Sequence, residues 1–375
     1  MKKVLVIAPY TYLPCKSGGQ KYIAQWLEAL SKKVALTVAS TSANDRSLAI
    51  NYNLIPLLAN SIFRYGDFTL RATLRELILR NHYDWIIWEH PYYSWLATLV
   101  KKDTGIKTLM HTHNIEYQRF RSLGKAWWPF LKAYEKWGFN QTDMLSFITP
   151  EDREFAVAQW QIPADNCLEI PYGILQDSYP KDRAEAREKI YSNLSLAPNT
   201  KILLFNGSLD YSPNLEALQA LLKKVNPLLQ KNNTTDYKLI ICGKGLPKKM
   251  NLLKEYEKEN IIYAGFVENI DTYVKAADLL LNPIQKGGGV KTKVIEAIAN
   301  GTPVVSTSTG AIGVDQKVTG NMLTIITDYN WTEFAGSIMH QIATPLEQTP
   351  ITPDSFYEKY NWDAILDRVL PRLSN

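Results

Sequence analysis

The sequence predicts an α/β protein of two domains, each a parallel sheet covered by helices, with ligands gathered beyond the carboxyl ends of the strands. Three observations carry this. A chain of 375 residues is too long for one ordinary core. Short apolar runs alternate with helical stretches, and the alternation restarts near residue 201. Glycine clusters fall just after the apolar runs, where chain turns and ligands meet.

In order, the first half reads as strand 3–9, helix 18–31, strand 34–39, helix 68–81, strand 84–88 and strand 106–112. A long helical stretch, 124–141, is followed by strand 145–149 and helix 150–160. Leu168-Glu169-Ile170-Pro171-Tyr172-Gly173 then leads into an irregular crossing. The second half reads as strand 201–206, helix 213–230, strand 237–242, helix 247–258, strand 261–264, helix 270–276, strand 278–282, helix 290–299 and strand 303–307. The expected division is 1–172 and 173–352, with closing helices over 353–360 and 362–373.

Composition is that of a globular protein, 46% hydrophobic and 21% charged, without low-complexity tracts. Of the net charge of +5, the excess lies in the first half: residues 1–170 hold 20 Lys/Arg against 15 Asp/Glu. That suits an anionic acceptor or an acidic membrane surface as well as a plain solvated one. No basic run or aromatic–basic motif points to nucleic acid. Cys15, Cys167 and Cys242 are far apart and lack metal-ligand spacing, so a reducing cytoplasm is expected. The apolar run after Met1-Lys2-Lys3 is read as a buried strand rather than a signal peptide, and no stretch approaches the ~20 apolar residues of a membrane span.

Residues 282–310, NPIQKGGGVKTKVIEAIANGTPVVSTSTG, carry the most chemistry. Gly287, Gly288 and Gly289 precede a helix whose partial positive end faces the same spot, so the segment reads as a phosphate cradle. Lys291 and Lys293 add positive charge there. Glu296, three residues after Lys293, can accept the hydroxyls of a ribose. A glycine run alone is as readily a tight turn; the Asn300-Gly301 helix stop and the strand after it favour the cradle. The spacings of a P-loop and of a Rossmann dinucleotide site are both absent.

With these pieces in place, the chain resembles the large retaining GT-B glycosyltransferase family that includes sucrose and glycogen synthases, often called family four. The matching pieces are Gly18-Gly19, His113, Gly173, Asn206-Gly207-Ser208, Gly243-Lys244-Gly245, Gly265-Phe266-Val267, Ala277-Asp278, Glu296-Ala297 and Gly301-Thr302-Pro303-Val304-Val305. The resemblance implies two Rossmann-like domains facing a central cleft. It implies a nucleotide-diphosphate sugar as donor, with UDP or GDP as the nucleotide, and neither metal nor cofactor. Glu296 would hold the ribose; the backbone of Gly288–Lys291 the distal phosphate and sugar; Gly18 and Gly19 the donor phosphate; Phe266 and Val267 the base; Gly243 the nucleoside; Asn206, Gly207, Gly287, Val290, Thr292 and Lys293 complete the candidate donor-binding set. The sequence departs from the family in two places. Gly288 stands where the family has a sugar-binding glutamate. Ser208–Asn214 lacks the family's arginine and lysine, for which Lys291 and Lys293 are candidate replacements. The resemblance also implies that residues 353–375 cross back to the first domain.

His113, Lys291 and Glu296 are the candidate catalytic residues; for the acceptor, a glycan or a lipid-linked glycan, the candidates are His90 and Glu116. His111 and His113 are read as facing opposite sides of their strand, with His113 toward the ligand and a carboxylate, Glu116, near enough to orient the imidazole or an acceptor hydroxyl. Glu89-His90 at another strand end contacts acceptor or caps the loop. Lys125–Phe139, rich in Trp and Lys, is either an interfacial membrane helix or an amphipathic helix packed on a sheet. The expected activity is hexosyl transfer to a hydroxyl in cell-surface polysaccharide synthesis, at the cytoplasmic face of the membrane. The alternatives are a non-catalytic nucleotide-sugar-binding relative and a nucleotide-sugar epimerase.

Overall fold

The computed structural model describes residues 1–15, 17–232, 235–345 and 348–373. The chain divides into two units, Met1–Gly173 with Tyr360–Asn375, and Ile174–Lys359. The first holds a seven-stranded parallel sheet in the order β3-β2-β1-β4-β5-β6-β7: β1 (Lys3–Ala8), β2 (Ala35–Thr41), β3 (Asn53–Leu58), β4 (Trp85–Glu89), β5 (Lys107–Thr112), β6 (Met144–Phe147) and β7 (Cys167–Glu169). The second holds six parallel strands in the order β10-β9-β8-β11-β12-β13: β8 (Lys201–Asn206), β9 (Tyr237–Cys242), β10 (Ile261–Gly265), β11 (Leu279–Asn282), β12 (Val304–Thr307) and β13 (Leu323–Ile326).

Helices cover both sheets, so the central strands read as continuous apolar runs; every residue of β4 and of β11 is buried. In each sheet the strand order reverses once, between β1 and β4 and between β8 and β11. Connections on either side of such a reversal part company and leave a crevice at the carboxyl ends. The residues that matter below end or follow these four strands and their neighbours β5, β9 and β10.

The structure adds elements that the pattern hides. Strand β3 contains Pro56, which cannot donate to a ladder and survives because β3 is an edge strand. Helix Arg183–Asn193 is polar nearly all round and buries only Ala186 and Ile190. Ser94–Thr104 and Trp331–Ala343 are further helices, and β13 is a short edge strand. The expected helix 124–141 is shorter: Gly124 at φ 70° separates helix Glu116–Ser122 from helix Trp128–Phe139, whose Pro129 sits in the first turn, where no N–H is missed. The expected helix 247–258 is a broken 3-10 segment, interrupted by positive φ at Asn251, Leu252 and Leu253. Residues 353–359, expected to cross back, group with the second unit; only the chain from Tyr360 onward groups with the first. Among the described residues no helix is long and apolar enough to cross a membrane.

Candidate active site

In the second unit the segment after β11 runs through Gly287–Gly289 into helix Thr292–Ala299, with Lys291 at its N-cap. Gly287 (φ 94°) and Gly289 (φ 72°) hold left-handed conformations that favour glycine. The run turns its carbonyls, as well as any amides, inward: the Lys291 ammonium donates to the carbonyls of Gly287, Gly288 and Gly289 at 3.1, 3.1 and 2.8 Å. The loop therefore wraps its carbonyls round the Lys291 ammonium. A Cβ at Gly288 would meet no atom within 4 Å, so this position is open space.

Lys293 reaches across the reversal point. Its ammonium donates to the carbonyl of Asn206 at 2.8 Å and to Oδ1 of Asn214 at 3.2 Å, and lies 4.8 Å from the Phe205 ring centre. It thus occupies the Ser208–Asn214 turn, where the sequence lacks the family's basic residues. Burial pushes the Lys291 ammonium down to about 8 and, with Lys291 beside it, the Lys293 ammonium to about 7. Oδ1 of Asn206 and Nε2 of Gln285 are buried without a hydrogen-bond partner. Gln285 escapes sequence reasoning because an isolated Gln before a glycine run has no signature.

The ends of β8, β9 and β10 are stitched together beside this loop. Gly207 N donates to Cys242 O at 3.0 Å and Gly243 N to Gly265 O at 2.7 Å. A Cβ on Gly243 would lie 2.0 Å from Gly207 O, and one on Gly207 2.8 Å from Asn214 Nδ2, so both glycines permit close strand-end approach. Phe266 follows with its ring 72% exposed, an apolar face outside the core, and Val267 beside it is half-buried. Val290, Thr292 and Glu296 are half-buried on the same loop and helix.

In the first unit Gly18 and Gly19 open helix Gly18–Ser31 behind the Ser17 N-cap. The polar centre lies at the ends of β4 and β5, where the register places Glu89 opposite His111. Glu89 is fully buried and gathers three donors: Trp26 Nε1 at 3.2 Å and His111 Nδ1 at 3.1 Å on Oε1, and His113 Nε2 at 2.9 Å on Oε2. Both histidines therefore face the same side of the strand, correcting the expectation of opposite faces; residues two apart on a strand share a face. The carboxylate orienting His113 is Glu89, where Glu116 was expected. Glu116 pairs with His90 (Nδ1 to Oε1, 3.4 Å), Tyr92 (2.7 Å) and Arg119 (3.1 Å).

Burial raises the Glu89 carboxyl, but the two imidazoles outweigh it and hold it below the usual carboxylate range. Burial raises Glu116 too, and His90, Arg119 and Tyr92 bring it down to about 2. The imidazoles of His90 and His113 are pushed down, chiefly by burial, and stay neutral near pH 7. Their ring centres are 4.0 Å apart. His90 is held at φ 66°, unusual for a non-glycine residue, by its N–H on the carbonyl of His111 at 2.9 Å. His90 Nδ1 and Glu116 Oε1 are buried against each other. Glu89, His111 and His113 bring ligand atoms within 4.8 Å of one another, a group that could hold a metal ion.

Residues 16–175 match the family described as Glycosyltransferase Family 4, and residues 200–343 match Glycosyl transferases group 1. The chain is a glycosyltransferase of the group 1 type. An uncharacterized 44.6 kDa protein in the cps region of Klebsiella pneumoniae is 28% identical to it over 363 residues, covering 88% of each chain. The fold of this glycosyltransferase is GT-B: it matches sucrose-phosphate synthase of Thermosynechococcus elongatus with a TM-score of 0.73 at 17% identity, covering 100% of this chain and 99% of that one. A Rickettsia africae glycosyltransferase gives 0.72 at 15%, covering 100% and 98%. Anabaena HepE, solved with UDP and glucose, gives 0.70 at 14%, covering 100% of both chains.

Proposed function

We propose that this glycosyltransferase moves a hexose from a nucleotide-diphosphate sugar, with UDP as the first nucleotide to test, to an acceptor hydroxyl during cell-surface polysaccharide synthesis. HepE has been solved with UDP-glucose, and the Klebsiella relative lies in a cps region; both support the reading. The observation that carries it is the pair of partly desolvated ammonium groups, Lys291 and Lys293, at the strand-order reversal of the second unit. A departing diphosphate accumulates negative charge, and two cations plus a helix N-terminus in a low-dielectric crevice lower the energy of that charge. Glu296 accepts ribose hydroxyls, Phe266 and Val267 offer an apolar face to the base, and Asn206 Oδ1 and Gln285 Nε2 are free for ligand hydrogen bonds. The Gly18-Gly19 helix entrance keeps its proposed contact with phosphate.

On the acceptor side Glu89 fixes the proton of His113 on Nε2, since an ionised carboxylate only accepts. The neutral ring then keeps Nδ1 as its acceptor atom, able to take a hydrogen bond from an acceptor hydroxyl. His90 and Glu116 are the companion residues proposed for the acceptor. In the retaining reading, the leaving phosphate oxygen itself takes the acceptor proton, so His113 aids rather than commands transfer.

The first measurement is the thermal shift of the purified protein with UDP-, GDP-, ADP- and dTDP-sugars, then sugar transfer with the nucleotide that shifts it. Lys291→Ala should abolish turnover and leave the fold intact. Binding without transfer or donor hydrolysis would favour a non-catalytic nucleotide-sugar-binding protein. The reading is metal-independent, so dialysis against EDTA should leave turnover unchanged. Loss, with recovery on adding Mn²⁺, would place a working metal in the chain and direct attention to Glu89, His111 and His113.

A further inference from the structure

The Glu89 cluster is held from outside by a contact that fixes where protons lie. The Tyr22 hydroxyl has one hydrogen and two buried neighbours, the carbonyl of Ile170 at 3.1 Å and Nε2 of His111 at 2.8 Å. A carbonyl only accepts, so meeting both contacts spends the hydroxyl hydrogen on Ile170 and makes His111 donate from Nε2. A neutral His111 then turns its bare nitrogen, Nδ1, toward Oε1 of Glu89 at 3.1 Å. Two lone pairs at that distance repel unless a cation lies between them. That cation is either a second proton on the ring or a metal ion.

The surroundings suit a metal ion. The side chains of Glu89 and His111 are fully buried, His113 Nε2 stands 2.9 Å from the other carboxylate oxygen, and the three ligand atoms all lie within 4.8 Å of one another. Ligands of a tetrahedral ion with bonds of about 2.0–2.1 Å lie roughly 3.4 Å apart, so each imidazole–carboxylate pair needs to open by only a few tenths of an ångström. His113, whose side chain is 11% exposed, is the ligand with room to adjust and marks the side from which an ion enters. Outer partners are in place: Tyr22 on His111, and Trp26 Nε1 on Glu89 Oε1 at 3.2 Å. Such contacts orient metal ligands and tune their basicity. His90 is not a ligand here, because its Nδ1 faces Glu116 at 3.4 Å. Two imidazoles and one carboxylate favour Zn²⁺ over Mg²⁺ or Mn²⁺.

We propose that Glu89, His111 and His113 take up one Zn²⁺ ion, and that this ion competes with an acceptor hydroxyl for His113. Zinc bonds through the lone pair of His113 Nε2, so the ring's proton moves to Nδ1, the atom assigned above to the acceptor hydroxyl. The metal thus blocks transfer instead of performing it. The site stands on the geometry of the first unit alone, whereas the competition rests on the transferase reading.

The test titrates the full-length chain, stripped of metal, with ZnCl₂ against a chromogenic chelator. One tight site per chain is expected. His113→Gln, a change at the rim of the cluster, should abolish it, and Tyr22→Phe should weaken it about 10–100-fold by freeing the His111 tautomer. Cys15→Ser, which removes the exposed thiol, should leave it unchanged. A cooperative thermal transition shows that each variant is folded. Co²⁺ in place of zinc should give the visible absorption of a tetrahedral site in the wild type and not in His113→Gln. Absence of a tight site, or its survival in His113→Gln, overturns the proposal, and a proton then joins His111 to Glu89. In the transfer assay zinc should lower turnover and chelator restore it; zinc bound at this set with transfer unchanged overturns the competition. No transfer at any metal level, with the zinc site intact, would instead sink the transferase reading and leave the site standing.

Discussion

Lys293 concentrates the tension between stability and function in one side chain. Its ammonium is desolvated and shares the loop with Lys291, and its folded pKa is about 7 against 10.5 for an ordinary lysine. Between those values the unfolded chain binds a proton that the folded chain has released, so stability rises with pH across that window and the cost of burial is fully felt below about 7. An anionic donor reverses the preference, because it favours the charged form. Lys293→Met should therefore raise the melting temperature of the ligand-free protein at about pH 6.5 while lowering UDP-sugar affinity by roughly tenfold or more. In the wild type, affinity should fall from pH 7 toward 9 as both ammonium groups lose protons. Calorimetric titration across that range checks both statements. A Met variant that keeps wild-type affinity and pH profile would remove Lys293 from the donor site.

At the scale of elements, helix Glu116–Ser122 is capped from outside itself. Glu135, on helix Trp128–Phe139, accepts the N–H groups of Glu116 at 2.8 Å and Tyr117 at 3.0 Å, which would otherwise be buried orphans. Burial pushes the Glu135 carboxyl up to about 8, against the pull of those two N–H groups. The folded chain then holds a proton that the unfolded chain has lost between 4.5 and about 8, so this group's contribution is fully present below 4.5 and is lost as pH rises through about 8. Urea melts should show Glu135→Ala destabilised by about 1–3 kcal/mol at low pH. Glu135→Gln should flatten the decline toward pH 8; a wild-type slope in that variant would mean that another group sets it. The same elements show what was legible. The grouping of glycines, lysines and glutamate was legible because they are close in sequence, with Gly287–Gly289 and Lys291 leading into helix Thr292–Ala299. The alternation of strands and helices gave the parallel α/β class because buried parallel strands are apolar throughout. The Glu89 cluster was hidden, since β4 and β5 bring together residues 22 apart by a register that no local pattern records. The His111/His113 error was avoidable, because period two already places them on one face. Helix Arg183–Asn193 was hidden for lack of an apolar stripe, and β3 for its proline.

At the scale of the whole molecule, the chain completes its first unit with its last residues. Trp362 packs its indole against Tyr22 and Trp26, with ring centres 5.6 and 6.0 Å away, and donates to Gln25 at 3.4 Å. Lys33 and Asp367 add an ion pair at 2.9 Å, exposed enough to contribute little. Gly173, where the first unit's main segment ends, lies directly beneath the indole: a Cβ there would sit 2.2 Å from ring carbon Cδ2. The glycine is required by packing, since no left-handed backbone is recorded for it. Gly173→Ala should therefore force Trp362 outward and cost the first unit about 1–3 kcal/mol. Tyr22 also meets His111 at 2.8 Å, so the displacement loosens the wall of the Glu89 cluster as well as the core. Hydrogen exchange should quicken in β1, β4 and β5 and not in β8–β13, and the smaller side chain at 362 in Gly173→Ala/Trp362→Leu should recover part of the loss. Uniform exchange across both units, or no recovery, would show that the terminal segment is an ornament of the first core rather than part of it.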